Sequence, residues 1–227
     1  MANVSALNPA AIKVIGVVGD DIYGRELTAQ LKDLGAETSS LIIQQEEFDT
    51  YTYLKRLIEG EEQPRVDFGV YNKRSWETDL KILAGIRSAL EEYDALIFNQ
   101  QVQDSLTNEA FIDEANKLFE TYKDKIVVLD SRHFNDRFKG IIRKVNDIEI
   151  LALRGIEADP KASVPMKDVI SHGTEIYRET GKPVFATCGS RGIIAIAEGG
   201  SKHIPGIQFT SKLDTVGAGD TVISALT

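Results

Sequence analysis

Near the C-terminus, Asp214-Thr215-Val216-Gly217-Ala218-Gly219-Asp220 sets two glycines around an alanine and places a carboxylate directly after them. Glycine lets the backbone turn tightly, with nothing larger than a methyl group in the way. Successive N–H groups can then converge on one concave spot at a helix N-terminus, where the dipole favours an anion. The residues that follow, Thr221-Val222-Ile223-Ser224-Ala225-Leu226, read as the start of that helix. A carboxylate whose only task was to hold phosphate would repel it. It makes sense where a hydroxyl attacks phosphorus, because phosphoryl transfer needs donors for the equatorial oxygens and a base for the nucleophile. Gly217, Ala218 and Gly219 would supply the donors and Asp220 the base. A bare G-x-G would read better as a turn capping a helix.

The elements that must position these groups follow from periodicity. Residues 13–18 read as a buried strand ending in Gly19-Asp20-Asp21, and Leu27, Leu31 and Leu34 then repeat at helical spacing until Gly35. Ser75 precedes a helix carrying Leu80, Leu83, Ile86 and Leu90, and a strand follows at 95–98. Thr107 precedes a helix with Phe111, Ala115, Leu118 and Tyr122, and a strand follows at 126–129. A further helix around Met166, Val169, Ile170, Ile176 and Tyr177 closes at Gly181 before a strand at 184–187. Helices alternating with short apolar strands predict a mostly parallel sheet covered on both faces, with ligands beyond the carboxyl ends of the strands. Residues 51–58 and 65–71 are too close together for a crossover helix. They predict an antiparallel hairpin turning at Glu59-Gly60-Glu61-Glu62.

Composition narrows the function classes. With 227 residues, 42% hydrophobic and 27% charged, the chain is long enough for one well-filled globular core. A net charge of −9 argues against a nucleic-acid binder. A phosphorylated ligand then needs a local basic patch. Arg132, His133, Arg137, Arg143 and Lys144 form the densest one, and it fits a substrate phosphate or a solvated loop equally well. The single Cys188 rules out an internal disulfide, fits a reducing cytoplasm and reads as a buried, inert thiol. No apolar run reaches the ~20 residues of a membrane span. Asp20 and Asp21 are better explained by a helix N-terminus than by a metal.

The full string D-T-x-G-A-G-D closely resembles the signature of the ribokinase-like sugar kinases, the PfkB family, and the resemblance covers residues 2–227. It implies an α/β ribokinase-like fold with a mostly parallel sheet, helices on both faces and a small antiparallel β-lid at about 45–71, all in a single domain over 1–227. It also implies ATP-dependent phosphoryl transfer to a hydroxyl of a sugar or sugar phosphate in the cytoplasm, with Asp220 as base in place of His133. A homodimer through the lid is a further expectation. Asn146-Asp147-Ile148-Glu149 matches the family's N-x-x-E, whose acidic residue orders Mg²⁺, usually through water; Mg²⁺ suits few carboxylates and retained waters. The same spacing is also a helix start, with Asn as N-cap and Glu in the first turn. Thr187-Cys188-Gly189-Ser190-Arg191-Gly192 matches T-x-G-x-x-G, which brings Thr187, Gly189 and Gly192 toward the nucleotide phosphates. A turn between two strands explains that pattern nearly as well.

By the same resemblance, Asp214 and Thr215 help shape a monovalent-cation site; Arg132, from the basic cluster, is the candidate on the substrate side. Ala2-Asn3-Val4 with Leu7-Asn8 looks like the tail of G-G-x-x-N-V-A, whose asparagine contacts the sugar. The preceding glycines and the family's first strand are absent, so both ends look cut. The chain is therefore expected to bind nucleotide weakly, with poor discrimination between ATP and GTP. Gly19-Asp20-Asp21 with Gly24-Arg25, the 63–68 segment and Asp130 are similar to the heptose-7-phosphate kinase branch. That branch carries S-D-Y-x-K-G where this chain has Phe98-Asn99-Gln100-Gln101-Val102-Gln103-Asp104, and D-P-K-G where it has Asp130-Ser131-Arg132-His133. Those are substrate-side loops, so a heptose 7-phosphate remains one option among sugars. A non-catalytic sugar- or nucleotide-binding member of the same fold is the alternative. Such a member would be expected to lose Asp220, which is present.

Overall fold

The apolar run after Lys13 forms β1 (Lys13–Gly19), which follows a short helix α1 (Ala2–Ala6) and leads into α2 (Ile22–Asp33). These coordinates come from a computed structural model that describes residues 1–102, 107–159, 163–207 and 216–227. Asp21 starts α2 as expected: it accepts the Gly24 N–H at 2.7 Å as N-cap and the Thr50 N–H at 2.7 Å through its other oxygen. Burial acts to raise the Asp21 pKa, but those N–H donors outweigh it and hold the carboxyl below its ordinary value. A parallel partner strand, β2 (Glu37–Gln44), follows.

The predicted hairpin is present, but it is broken into short pieces. β3 (Thr52–Leu54), β4 (Leu57–Ile58), β5 (Glu61–Glu62) and β6 (Val66–Phe68) form two antiparallel ladders, β3 with β6 and β4 with β5. Its turn is two residues, Glu59 (φ 53°) and Gly60 (φ 83°), with Glu61 and Glu62 already in strand. Two consecutive positive φ values match the twist of the flanking strands, so a tight turn replaces the four-residue one expected. Helix α3 (Trp76–Glu92) then packs Ile82, Leu83, Ile86 and Leu90 into the core and lies against β1 and β2.

These elements, with residues 107–111, make one compact unit; residues 93–102 and the described residues from 112 onward make the other. The second unit is built on a six-stranded sheet. Its strands are β7 (Ala95–Gln100), β8 (Ile126–Ser131), β9 (Ile142–Asn146), β10 (Val184–Thr187), β11 (Ile193–Ala197) and β12 (Gly200–Ile204), adjacent in that order. β7 to β10 run parallel, and β11 and β12 add an antiparallel edge. Helix α4 (Glu109–Thr121) meets β7 through an edge-on contact of Phe119 with Phe98. Helices α5 (Asp147–Ala152) and α6 (Met166–Thr180) cover β9, β10 and β11. Gly181 at φ 65° ends α6. Val145, Ile150, Val169, Ile176, Val184, Ala186, Ile194 and Ile196 fill this core, and Cys188 is buried with them. Each large aliphatic side chain here contributes about 1.5–3 kcal/mol on burial. A last helix, α7 (Ala218–Leu226), packs near β8.

Candidate functional site

Parallel strands end together, and Asn146 and Thr187 lie at that edge. Asn146 closes β9 and is in register with Thr187, the last residue of β10. Asn146 is the N-cap of α5: its side chain accepts from the N–H groups of Ile148 (2.9 Å) and Glu149 (2.7 Å). Glu149 answers by accepting the Asn146 N–H at 2.8 Å through Oε2. This reciprocal capping box is the helix start that the N-x-x-E spacing also predicted. Burial pushes the Glu149 carboxyl above its ordinary value; the Asn146 N–H and the nearby Lys144 oppose that rise, while Asp130 adds to it.

Thr187, Gly189 and Gly192 form the neighbouring turn. A 3-10 turn, Gly189–Arg191, links β10 to β11, and the Cys188 N–H donates to the Gly192 carbonyl at 2.8 Å. Gly192 has φ 98° and packs against the Ile204 carbonyl, where any β-carbon would collide. Arg191 joins the two turns, with Nη2 2.5 Å from Asp147 Oδ2 and Nη1 donating to the Val164 carbonyl at 2.6 Å. Sequence reading missed this clamp. Its only signal was an arginine inside the glycine motif.

The third turn opens α7. The helix begins at Ala218, three residues before the predicted start, with Gly217 as N-cap at φ 79°, a residue that offers no side-chain cap. Helical geometry leaves the N–H groups at such a start without intrahelical acceptors; the first closing bond runs from the Thr221 N–H to the Gly217 carbonyl at 3.0 Å. Asp220 therefore sits within the first helical turn and is exposed. Asp214 and Thr215 lie outside the described residues.

The basic cluster is corrected. Arg143 is buried and spends its guanidinium on the Asn135, Phe138 and Ile141 carbonyls, so it is a structural clamp. Lys144, on the opposite face of the strand, is buried in an ion pair with Asp130 at 2.7 Å. Arg132 and His133 stay exposed, in a turn fastened by Gln100: its carbonyl accepts the Arg132 N–H at 2.9 Å, and its side-chain Oε1 accepts Ser131 Oγ (2.9 Å) and the His133 N–H (3.3 Å). Asn3 lies in α1 of the other unit.

Among the described residues no three His, Cys, Asp or Glu side chains form a metal-binding group. The donor set at this edge, led by Glu149, fits Mg²⁺ that arrives with phosphates and keeps most of its waters, not an all-protein cage. Donor N–H groups at α7 and the tight glycine turn beside Thr187 likewise fit a polyphosphate.

Comparison with known proteins gives the family and the fold. The bifunctional protein HldE of Wolinella succinogenes is 29% identical over 229 residues, covering 100% of this chain and 46% of its own length. The chain thus spans about half the length of the curated relatives it matches. Among solved structures, the ribokinase of Thermotoga maritima superposes with a TM-score of 0.71 at 18% identity, over 99% of this chain and 69% of that one. An uncharacterized sugar kinase from Pyrococcus horikoshii, in complex with ATP, gives 0.66 at 19% identity, over 99% and 70%. These two likenesses establish a ribokinase-like fold. A family model described as pfkB family carbohydrate kinase matches residues 1–227, and the chain belongs to that family.

Proposed function

We propose that this protein transfers the γ-phosphoryl group of ATP to a hydroxyl of a sugar or sugar phosphate. The observation that carries the reading is the glycine N-cap of α7, with Asp220 in the first helical turn. Helix-start donors without intrahelical acceptors and a carboxylate beside them supply both halves of phosphoryl transfer. Asp220 accepts the proton of the attacking hydroxyl. The N–H groups at Gly217, Ala218 and Gly219 stabilise the charge on the group in flight. Thr187, Gly189 and Gly192 receive the remaining phosphates, with Asn146 holding the adjacent turn. Mg²⁺, when bound, neutralises phosphate charge, and Glu149 orients its water shell. A monovalent cation near Asp214 and Thr215 is part of the same proposal.

The hairpin within residues 45–71 serves as the lid that keeps water from the reaction. Tyr53, Leu57, Ile58 and Val66 are exposed on it, which suits pairing with a second copy. Asn3 and Arg132 are assigned to the acceptor side. The branch resemblance favours a heptose 7-phosphate as acceptor, and transfer to that compound is the arm of the assay that tests it. Among the described residues no helix is long and apolar enough to cross a membrane, and a cytoplasmic location completes the reading.

The test is transfer of phosphate from ATP to a panel of sugars and sugar phosphates, for the native protein and Asp220→Asn. A general base contributes roughly 10²–10⁴-fold, so kcat should fall by about that factor while nucleotide binding persists. Near-full turnover in the variant would remove Asp220 from the role. Nucleotide binding with no transfer to any acceptor would favour the non-catalytic alternative.

A further inference from the structure

Lys144 lies on β9 two residues before Asn146, with its ammonium below the protein surface. Its side chain is 9% exposed and that of Asp130 7%, with Nζ 2.7 Å from Asp130 Oδ2. A β-carbon placed on Gly219 would lie 3.0 Å from the same Nζ. The lysine therefore ends directly against the first turn of α7. Asp130 faces it from β8, and Glu149 on α5, itself near Arg132, feels its charge.

That is an unfavourable place for a cation. The start of a helix carries partial positive charge, which repels an ammonium. Taking a Lys–Asp pair out of water costs several kcal/mol per ion, and an apolar pair of similar volume is often at least as stable. The arrangement gains its purpose once an anion occupies the turn, because the anion then meets helix N–H groups on one side and an ammonium on the other. Asp130 occupies one of the three ammonium donors, and the missing side chain at residue 219 leaves the approach open. Lysine suits this geometry as a compact point charge for phosphate, where the wider guanidinium fork would meet the Gly219 backbone.

We propose that Lys144 is a catalytic residue that contacts the phosphoryl group held at Gly217–Asp220, with Asp130 as the counter-ion that keeps it there in the empty site. The proposal rests on the kinase reading above, and it adds a contact outside all three glycine- and asparagine-bearing motifs.

The test titrates the protein, with Mg²⁺, against ADP and against the β,γ-imido analogue of ATP. Lys144→Met alone would strand a buried carboxylate, so the informative variant is Asp130→Asn combined with Lys144→Met, which removes both charges. Gly219→Ala is a second variant that keeps both charges and fills the gap with a methyl group. In either folded variant the triphosphate analogue should lose about 10–100-fold in affinity, the worth of a charged hydrogen bond, while ADP changes much less. An unchanged ratio of triphosphate to diphosphate affinity in a folded variant overturns the role of Lys144 and leaves the kinase reading standing. If the native protein binds neither nucleotide, both fall together.

Discussion

The helices α5 and α7 begin in opposite ways. At α5 the chain closes its own N-terminus: Asn146 and Glu149 satisfy each other's backbone N–H groups in a capping box. At α7 the N-cap is Gly217 at φ 79°, a residue with no side chain to turn back onto the helix. An N-cap side chain reaches the N2 or N3 donor from extended backbone, the geometry of Asn146 at φ −95° and ψ 175°. The left-handed backbone at Gly217 does not offer it. A closed start contributes to stability; one with a glycine N-cap gives up only roughly a few tenths of a kcal/mol and keeps its donors for a ligand. Under the proposed function the two starts divide the labour, α5 holding the turn in place and α7 receiving the anion.

The largest way to break this comparison is at α7. Asp220→Asn should leave thermal stability nearly unchanged, because the exposed side chain makes no cap. The rate should fall by the roughly 10²–10⁴-fold argued above. Parallel thermal melts and single-turnover assays check the dissociation. A large drop in melting temperature would place Asp220 among the structural carboxylates.

A third helix start supplies the reference for a closed terminus. Asp21 at α2 serves two donors, the Gly24 and Thr50 N–H groups, and Thr50 is 4% exposed. Asn has one carbonyl oxygen, so Asp21→Asn leaves one of those N–H groups without its acceptor. The expected cost is about 1–2 kcal/mol at neutral pH, read from denaturant unfolding. The sign of its pH dependence follows from the lowered carboxyl pKa. The native protein should hold its full advantage above the ordinary Asp value of about 3.9 and lose it as pH falls through the depressed folded value. An advantage that grows with acidification would contradict the hydrogen bonds described.

Asn146→Ala sharpens the comparison at α5 itself. It removes the acceptor for both the Ile148 and Glu149 N–H groups, and caps of this kind contribute about 1 kcal/mol. The melting temperature should fall by a few degrees, and the activity loss should be smaller than at Asp220. A variant as stable as the native protein would mean that water replaces the cap at no cost.

Much of this was legible in the sequence, for identifiable reasons. The glycine strings fix backbone shape wherever they occur, so Gly217–Asp220 and Gly189–Gly192 could be assigned to turns without knowing their neighbours. Helices α3, α4 and α6 showed themselves by apolar spacing. The basic cluster misled because adjacency in sequence is not adjacency on a strand: Arg143 and Lys144 point to opposite faces. One went to backbone carbonyls, and the other to an aspartate 14 residues earlier. The Gln100–Ser131 bond was hidden for a similar reason. Each residue looked like a separate departure from the heptose-kinase branch, yet Ser131 Oγ donates to Gln100 Oε1 at 2.9 Å and the pair fastens one turn. The predicted start of α7 was late because two glycines in a row of seven residues look like loop, whereas here the second lies inside the helix.

The smallest structural effect is expected at Glu149, and it separates the two roles that share that residue. Glutamine at the third helical position closes a capping box as well as glutamate does. Glu149→Gln should therefore preserve the bond to the Asn146 N–H while removing a carboxylate whose charged form burial disfavours. The melting temperature at neutral pH should stay level or rise slightly. If Glu149 also orders the water shell of Mg²⁺, the metal concentration for half-maximal turnover should rise by about three- to tenfold, the weight of one water-mediated contact, with sugar affinity unchanged. An unaltered Mg²⁺ titration would confine Glu149 to closing the helix, and a fall in stability without any metal effect would do the same. A shifted titration with an intact melt would show that one carboxylate both closes α5 and serves the ligand at α7.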